Sequence, residues 1–454
     1  MHIAIKNPAI SGPDREKTGD YHFGASLRRA FEAEGVRVTE HYWPDWSDGA
    51  EADVALVLRG RYRYRPRPGQ FTVLWAISHP AAITPEEIDA FDLAYLGSET
   101  HARMMAGPGR PPLSVLRQCP YFAGPAESPA RAPAEREGTV FVGNSRGVFR
   151  DIVRWSVAAG ARPALYGRGW DTIGLGRLVV ADYVDNAALP GLYSRTRLGL
   201  NDHWNDMRYF GYINNRLFDS LFCGQPTLSD WFPELEETFG DALVYARDGT
   251  SFRKAFEVAG SDYDALVARA RDRGRQLARD YTFAARARRI LDDIETFRPR
   301  RTPRPALPDA AAPDAIPAFA AIAAEIGRRE AKERRYVLLV HPGPAGTAGF
   351  SGRDISLLTA GLGPGPWEVG LEPDVAAIAH RKFDAVVVES LSGRDPGTTL
   401  APRTLRLLRR LTRRNGWFVA PAADGKGYAT VRTGRRLIPH PRLRRRLALG
   451  WLLR

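Results

Sequence analysis

Short apolar runs recur through the first 300 positions, separated by polar or amphipathic stretches. Met1–Lys6, Val36–Thr39, Ala52–Leu58, Phe71–Ile77 and Leu93–Leu96 predict strands. Ala25–Glu34 predicts a helix, with Leu27, Ala30 and Phe31 on one face and Gly35 as its stop. The strand runs are continuously apolar rather than alternating, which suits strands covered on both faces in a parallel α/β sheet. A second series follows: strands at Thr139–Val142, Ala164–Tyr166, Leu198–Leu200 and Pro226–Ser229, and helices at Val148–Ala159, Asn215–Cys223 and 252–298. A third, smaller series has strands at Tyr336–His341, Asp384–Val388 and Trp417–Ala420, with a basic helix at Thr404–Arg414.

Pro- and Ala-rich stretches divide these series. Gly124–Ala134 is one, and Pro299–Pro317, with its many prolines, is the other. The expected fold class is α/β: two Rossmann-like domains and a smaller C-terminal α/β domain. The expected boundaries are 1–123, 136–298, a linker and helix at 299–335, and 336–454.

Composition narrows the function classes. With 44% apolar and 26% charged residues the chain is core-forming, not disordered throughout. No apolar run approaches the ~20 residues of a membrane-spanning helix. The first residues lack the basic and apolar regions of a secretory signal, so a cytoplasmic location is expected. Cys119 and Cys223 are the only cysteines, too few for a disulfide framework. The net charge of +13 is local: Arg403–Arg454 holds fourteen Arg and one Lys against one acid, Asp424, which leaves the remainder near neutral. A body that wraps nucleic acid is therefore disfavoured, while a local electrostatic anchor is not.

The segment from Asn201 to Asp219 is a polar, aromatic loop that enters a helix. Gly211 leaves room for close backbone approach, and Tyr212, Asn214 and Asn215 lead into the helix start, a potential anion site. Arg208 and Arg216 add charge, and Asp219, one turn in, is placed to hold a ribose diol. The competing reading is a capped surface helix with Asp219 in a salt bridge. Farther upstream, Asn144, Ser145, Arg146 and Arg150 follow a strand in a Gly-bearing turn. No P-loop or dinucleotide fingerprint is present: Gly167-x-Gly169 is followed three positions on by Thr172. No His/Cys/Asp cluster has zinc spacing, and no metal or other cofactor is expected.

The run Asn215–Asp230 resembles the nucleotide-sugar segment of GT-B glycosyltransferases. There a helix with an acidic residue precedes a small-Gly-x-Pro turn and a strand ending near the donor. Asp219 matches the acid and Cys223-Gly224-Gln225-Pro226 the turn. The likeness is nearest to bacterial spore-maturation-type and polysaccharide-type members and covers about residues 1–298. Retaining members usually carry two glutamates eight positions apart; here the first position is Gly211 and the second is Asp219.

The resemblance implies a metal-independent transfer of sugar from a nucleotide-diphospho-sugar to a hydroxyl of a cell-envelope glycan or glycolipid. It places the diphosphate near Asn144, Ser145, Arg146, Arg150 and the Asn214/Asn215 helix start, and the nucleoside near Gly167, Trp170 and Tyr183. For Trp170 and Tyr183 ordinary core packing is the competing reading. The resemblance also makes Gly19, Asp20 and Phe23 part of an acceptor-side loop, and gives His22 and His79 catalytic roles; a lone histidine is more often structural. Residues 383–419 resemble the back half of a Rossmann-like methyltransferase without its cofactor-binding front half, so a non-catalytic remnant is expected there. The tail Arg442–Arg454 mixes Arg with Leu and Trp and suits an anionic membrane surface on the inner face of the membrane. Two other classes stay open: a non-catalytic carbohydrate- or nucleotide-binding protein on a GT-B scaffold, and a nucleic-acid-associated protein using the tail.

Overall fold

The computed structural model describes residues 1–121, 135–145 and 149–307, and five later strands at 335–340, 367–371, 383–388, 412–421 and 428–432. Arg146, the linker at 124–134, the tail 433–454 and most of the proposed helix at 404–414 lie outside the described residues. One compact unit comprises residues 1–80, 86–203 and 210–307; a second comprises 81–85, 204–209 and 308–454.

The first sheet is built from β1 (His2–Ile10), β2 (Arg37–Trp43), β3 (Val54–Arg59), β4 (Phe71–Ala76), β5 (Leu93–Leu96) and β6 (Leu113–Val115). Their order is β2-β1-β3-β4-β5-β6, and every pairing is parallel. Helices α1 (Gly19–Ala33), α2 (Pro85–Asp89) and α3 (Glu99–Met105) connect the strands. All six residues of β3 and of β4 are buried, as continuous apolar runs require. Helix α1 starts earlier than the apolar pattern indicates, because the Thr18 side chain caps it by accepting the Tyr21 N–H. The expected acceptor-side loop at Gly19, Asp20 and Phe23 is therefore helical.

The second sheet comprises β7 (Glu137–Val142), β8 (Ala164–Tyr166), β9 (Val179–Ala181), β10 (Thr196–Asn201), β11 (Thr227–Asp230) and β12 (Leu243–Ala246). It too is wholly parallel, in the order β12-β11-β10-β7-β8-β9. The helices along this stretch of chain are α4 (Asp151–Ala158), α5 (Leu189–Arg195), α6 (Asn205–Phe210), α7 (Asn215–Phe222), α8 (Pro233–Phe239), α9 (Gly249–Ser261), α10 (Tyr263–Leu277) and α11 (Phe283–Phe297). Leu217, Phe218, Leu221 and Phe222 fix the buried side of α7. Gly274 lets α10 lie directly on it: a Cβ there would stand 2.5 Å from the Leu221 carbonyl oxygen.

Helix α11 departs from the boundary read at 136–298. Its apolar stripe of Phe283, Ala287, Ile290 and Ile294 joins the core of the first sheet with Phe23, Leu27 and Trp75. The chain thus returns to its first domain after completing the second.

Beyond residue 307 the described residues of the second unit form β13 (Arg335–Val340), β14 (Trp367–Leu371), β15 (Phe383–Val388), β16 (Thr412–Pro421) and β17 (Tyr428–Arg432). They form one sheet in the order β14-β13-β15-β16-β17, parallel except for the antiparallel β16/β17 pair. Thr412–Arg414, read as the end of a helix, belong instead to β16, where Thr412 pairs with Phe383.

Candidate active site

In the second sheet β8 and β9 lie on one side of β7, and β10 to β12 on the other. The direction of winding reverses between β7 and β10, and in such sheets ligands bind at the carboxyl ends of the strands beside that reversal. Here those ends are Gly143-Asn144 after β7, and Asn201 at the end of β10 with Asp202-His203 after it.

Two guanidinium groups converge at this point. Arg150 pairs with the Asp202 carboxylate and donates to the Asp202 carbonyl at 3.2 Å and the Asn144 carbonyl at 3.3 Å. Arg216, from the first turn of α7, donates to Asn201 Oδ1 at 2.9 Å. Both stand over the ring of Phe141, at 4.8 and 5.0 Å from its centroid. Both also crowd Gly143, whose φ of 152° favours glycine: a Cβ there would meet Arg216 Nη2 at 2.8 Å and Arg150 Nη1 at 3.6 Å. Burial first, and the adjacent Arg150 second, lower the Arg216 pKa. An anion placed here would relieve both costs.

The remaining turn residues brace this edge. Asn144 Oδ1 accepts the Arg168 N–H at 2.8 Å, and Trp170 Nε1 donates to the Gly143 carbonyl at 3.0 Å. Ser145 is buried and donates to the Gly169 carbonyl. Gly167 packs on the Gly143 carbonyl, where a Cβ would clash. Trp170 is fully buried beside Phe141, which makes it core rather than a surface for a base.

The start of α7 differs from the expected open anion site. The Asn214 N–H is taken by His203 Nε2 at 3.2 Å, and the Asn215 N–H by Gln118 Oε1 at 2.9 Å. His203 is held in turn by Asp230, through Nδ1 at 2.8 Å and its backbone N–H at 2.8 Å. Two of the free donors of the helix end are thereby used internally. Asp219 is also corrected. It is 2% exposed, and its Oδ1 accepts the Tyr121 N–H at 2.8 Å. Burial pushes its pKa up to about 8, against the lowering effects of that hydrogen bond and of Arg216. It is a buried clasp on Tyr121, not an open carboxylate awaiting a diol.

The carboxyl edge of the first sheet meets this region. Gln118 joins the two sheets: its Nε2 donates to the Ile77 carbonyl, just past β4, while its Oε1 holds α7. Two residues beyond Ile77, His79 adopts a φ of 53°, the one positive value among described non-glycine residues, and its Nδ1 lies 2.9 Å from Ser78 Oγ. Such a conformation costs on the order of 1–3 kcal/mol and clusters at functional sites. His22, in α1, is half-buried, with Nε2 3.5 Å from Tyr183 Oη and its ring edge-on to Tyr121 at 6.3 Å. Burial is the main cause lowering its pKa. Tyr183 is thus half-buried beside α1 rather than in a core. Phe23 is core, packed edge-on to Trp75 and Phe283. Gly19 gives its carbonyl to Tyr121 Oη at 2.9 Å, and the Asp20 carbonyl accepts from Asn7 at 2.8 Å.

At Gly211, φ is 74° and the side chain of Glu234 fills the space a Cβ would need. Glu234 Oε1 accepts from Thr100 at 2.5 Å. Tyr212 is buried, its hydroxyl 2.8 Å from His101 Nδ1. Arg208 lies in α6. The sequence reading missed Gln118, Tyr121, Asn201, Asp202, His203 and Asp230. Asn201-Asp202-His203 carried a signal, as three polar residues directly after an apolar strand; Gln118 and Tyr121 carried none. One Asp-x-Asp spacing, unexpected from the sequence reading, occurs at Asp262–Asp264; it is exposed at the start of α10, with Asp262 paired to Arg269 at 3.1 Å. Among the described residues no group of three or more His, Cys, Asp or Glu is placed to hold a metal ion.

Residues 147–292, which contain most of the second sheet, match the family model described as glycosyl transferase-like. That segment is glycosyl transferase-like. The two parallel α/β sheets give the chain a fold of the GT-B type. Solved structures similar to it include sucrose-phosphate synthase from Thermosynechococcus elongatus, at 11% identity, covering 66% of this chain and 100% of that one with a TM-score of 0.46. Phage T4 BGT with its UDP-glucose substrate is similar at 13% identity over 64% and 99%, TM-score 0.45. WaaG, a glycosyltransferase of lipopolysaccharide biosynthesis, is similar at 12% identity over 64% and 99%, TM-score 0.44. No curated protein matches this chain. Among the described residues no helix is long and apolar enough to cross a membrane.

Proposed function

We propose that this chain is a glycosyltransferase that takes a nucleotide-diphospho-sugar and transfers its sugar to a hydroxyl of a cell-envelope glycan or glycolipid. The observation that carries the donor assignment is the convergence of Arg150 and Arg216 on Gly143 at the winding reversal of the second sheet. In this reading the diphosphate lies against the two guanidinium groups rather than on the amides of the α7 start. As the bond to the sugar breaks, negative charge grows on the departing diphosphate, and preorganised cations there lower the barrier without a bound metal. Arg146 and Arg208 are further candidates for that charge.

His22 supplies the base. A lowered pKa keeps its imidazole neutral near pH 7, ready to accept the proton of the attacking hydroxyl. Tyr183, 3.5 Å away, orients it. His79 is the second candidate, supported by its strained backbone. Asp219 acts as a positioning residue through Tyr121, whose ring lies against His22. The acceptor approaches from the first domain, and the basic tail Arg442–Arg454 holds the enzyme at an anionic membrane surface on the inner face. Nucleic acid is not a partner in this reading.

The test is nucleoside diphosphate release from UDP-, GDP-, ADP- and TDP-sugars, in the presence of chelator and of lipid-linked glycan acceptors. One nucleotide class should turn over faster with acceptor than without. Equal background release from all four classes would refute the reading.

A further inference from the structure

A second basic site lies at the opposite, amino-terminal end of the first sheet. A cleft of about 480 Å³ opens there between the loop before β4 and the chain that follows α11. Each wall is an Arg-Pro tract: Arg65-Pro66-Arg67-Pro68 on one side, and Arg301-Thr302-Pro303-Arg304-Pro305 on the other. Among the described residues four arginines line the cleft and no carboxylate does. Arg301 is balanced from behind by the buried Asp92, at 3.0 Å. Arg67 donates to the Ser47 carbonyl, but its charge is near enough to help depress the pKa of Lys6, after burial. Arg304 has no hydrogen-bond or ion-pair partner among the described residues, and its Nε is inaccessible to solvent. Prolines fix φ and offer no N–H, so these walls recognise ligands through side chains on a stiff backbone.

We propose that this cleft binds a phosphate-bearing ligand, separately from the donor site. Guanidinium forks match phosphate oxygens in a bidentate way, and convergent like charges are stabilised by such an anion. A free phosphorylated molecule and a phospholipid headgroup share this chemistry.

The experiment titrates full-length protein with inorganic pyrophosphate at fixed ionic strength, comparing wild type, Arg304→Ala, Arg67→Ala/Arg304→Ala and the donor-site variant Arg216→Ala. A pyrophosphate site should survive in Arg216→Ala and weaken about tenfold or more in the double variant, with Arg304→Ala intermediate. Because Arg304 has no described partner, its loss should leave the melting temperature unchanged. Sedimentation with phosphatidylglycerol and phosphatidylcholine vesicles separates the sources: weaker retention of the double variant on the anionic vesicles assigns the headgroup, and unchanged retention assigns the free ligand. Absence of pyrophosphate binding in wild type would overturn the proposal. So would binding that vanishes in Arg216→Ala and ignores both cleft variants. The donor reading stands or falls on nucleotide-sugars, so the two failures are distinguishable.

Discussion

Asp219, near the middle of α7, accepts the backbone N–H of Tyr121 at 2.8 Å and so ties the second domain to the end of the first. Its burial raises the folded-state pKa to about 8, from about 4 in an unfolded chain. Between those values the folded form holds a proton that the unfolded form has lost. Stability from this group is therefore fully present below pH ~4 and is lost as pH rises toward 8. Chemical denaturation across that range should show Asp219→Asn gaining on wild type as pH increases. A stability difference that stays flat from pH 4 to 8 would mean the carboxylate is ionised in the fold.

His22 carries the catalytic proton in this account. His22→Ala should lower the turnover rate by about 10²–10⁴-fold, the usual scale for a general base, with nucleotide affinity retained. The acid limb of the wild-type pH–rate profile should fall below the ordinary imidazole value of about 6.5, since burial lowers the pKa. A variant as fast as wild type would transfer the role to His79.

Strands that are apolar throughout are legible in the sequence to the residue: Leu93–Leu96 because burial on both faces leaves an uninterrupted run, and Ala164–Tyr166 because its run stays apolar although only Leu165 is fully buried. Strands β6 and β9 are edge strands, half-buried or exposed, so burial imposes no continuous apolar run on them and they do not stand out. Arg150 and Arg216 were legible as cations beside a turn and at a helix start. What they face was not, because Asp202, Asn201 and Phe141 come from other strands. The α7 N-terminus misled for a related reason: Gln118, distant in sequence, and His203, folded back from the preceding loop, supply the acceptors that fill it. Local sequence shows which donors a helix end exposes, but not what tertiary structure brings to them.

The return of α11 to the first domain has an energetic consequence. Ile290 is fully buried in the core with Leu27, Phe31 and Trp75. Ile290→Ala should cost about 2–5 kcal/mol of folding stability, from lost transfer energy and the residual cavity. Denaturant melts of the two proteins check this. A loss under about 1 kcal/mol would indicate that α11 does not hold the first core together.

Membrane attraction should reside in the basic tail. Removing Pro441–Arg454 takes five arginines with their Leu and Trp neighbours. Vesicle sedimentation at low salt should drop on truncation. For the intact chain it should weaken as the Debye length shortens from ~10 Å at 0.1 M to ~3 Å at 1 M salt. Equal sedimentation with and without the tail would remove the anchor from the account.

The central claim is that the donor diphosphate lies against Arg150 and Arg216 beside Gly143, and calorimetric titration with UDP-, GDP-, ADP- and TDP-sugars tests it most directly. Wild type should bind one class. Arg216→Ala should lose about 1.5–3 kcal/mol of that affinity, the scale of a hydrogen bond to a charged group, and Arg216→Lys should recover only part, because an ammonium lacks the planar fork. Undiminished affinity in a folded Arg216→Ala variant, or no binding of any class by wild type, would contradict the assignment.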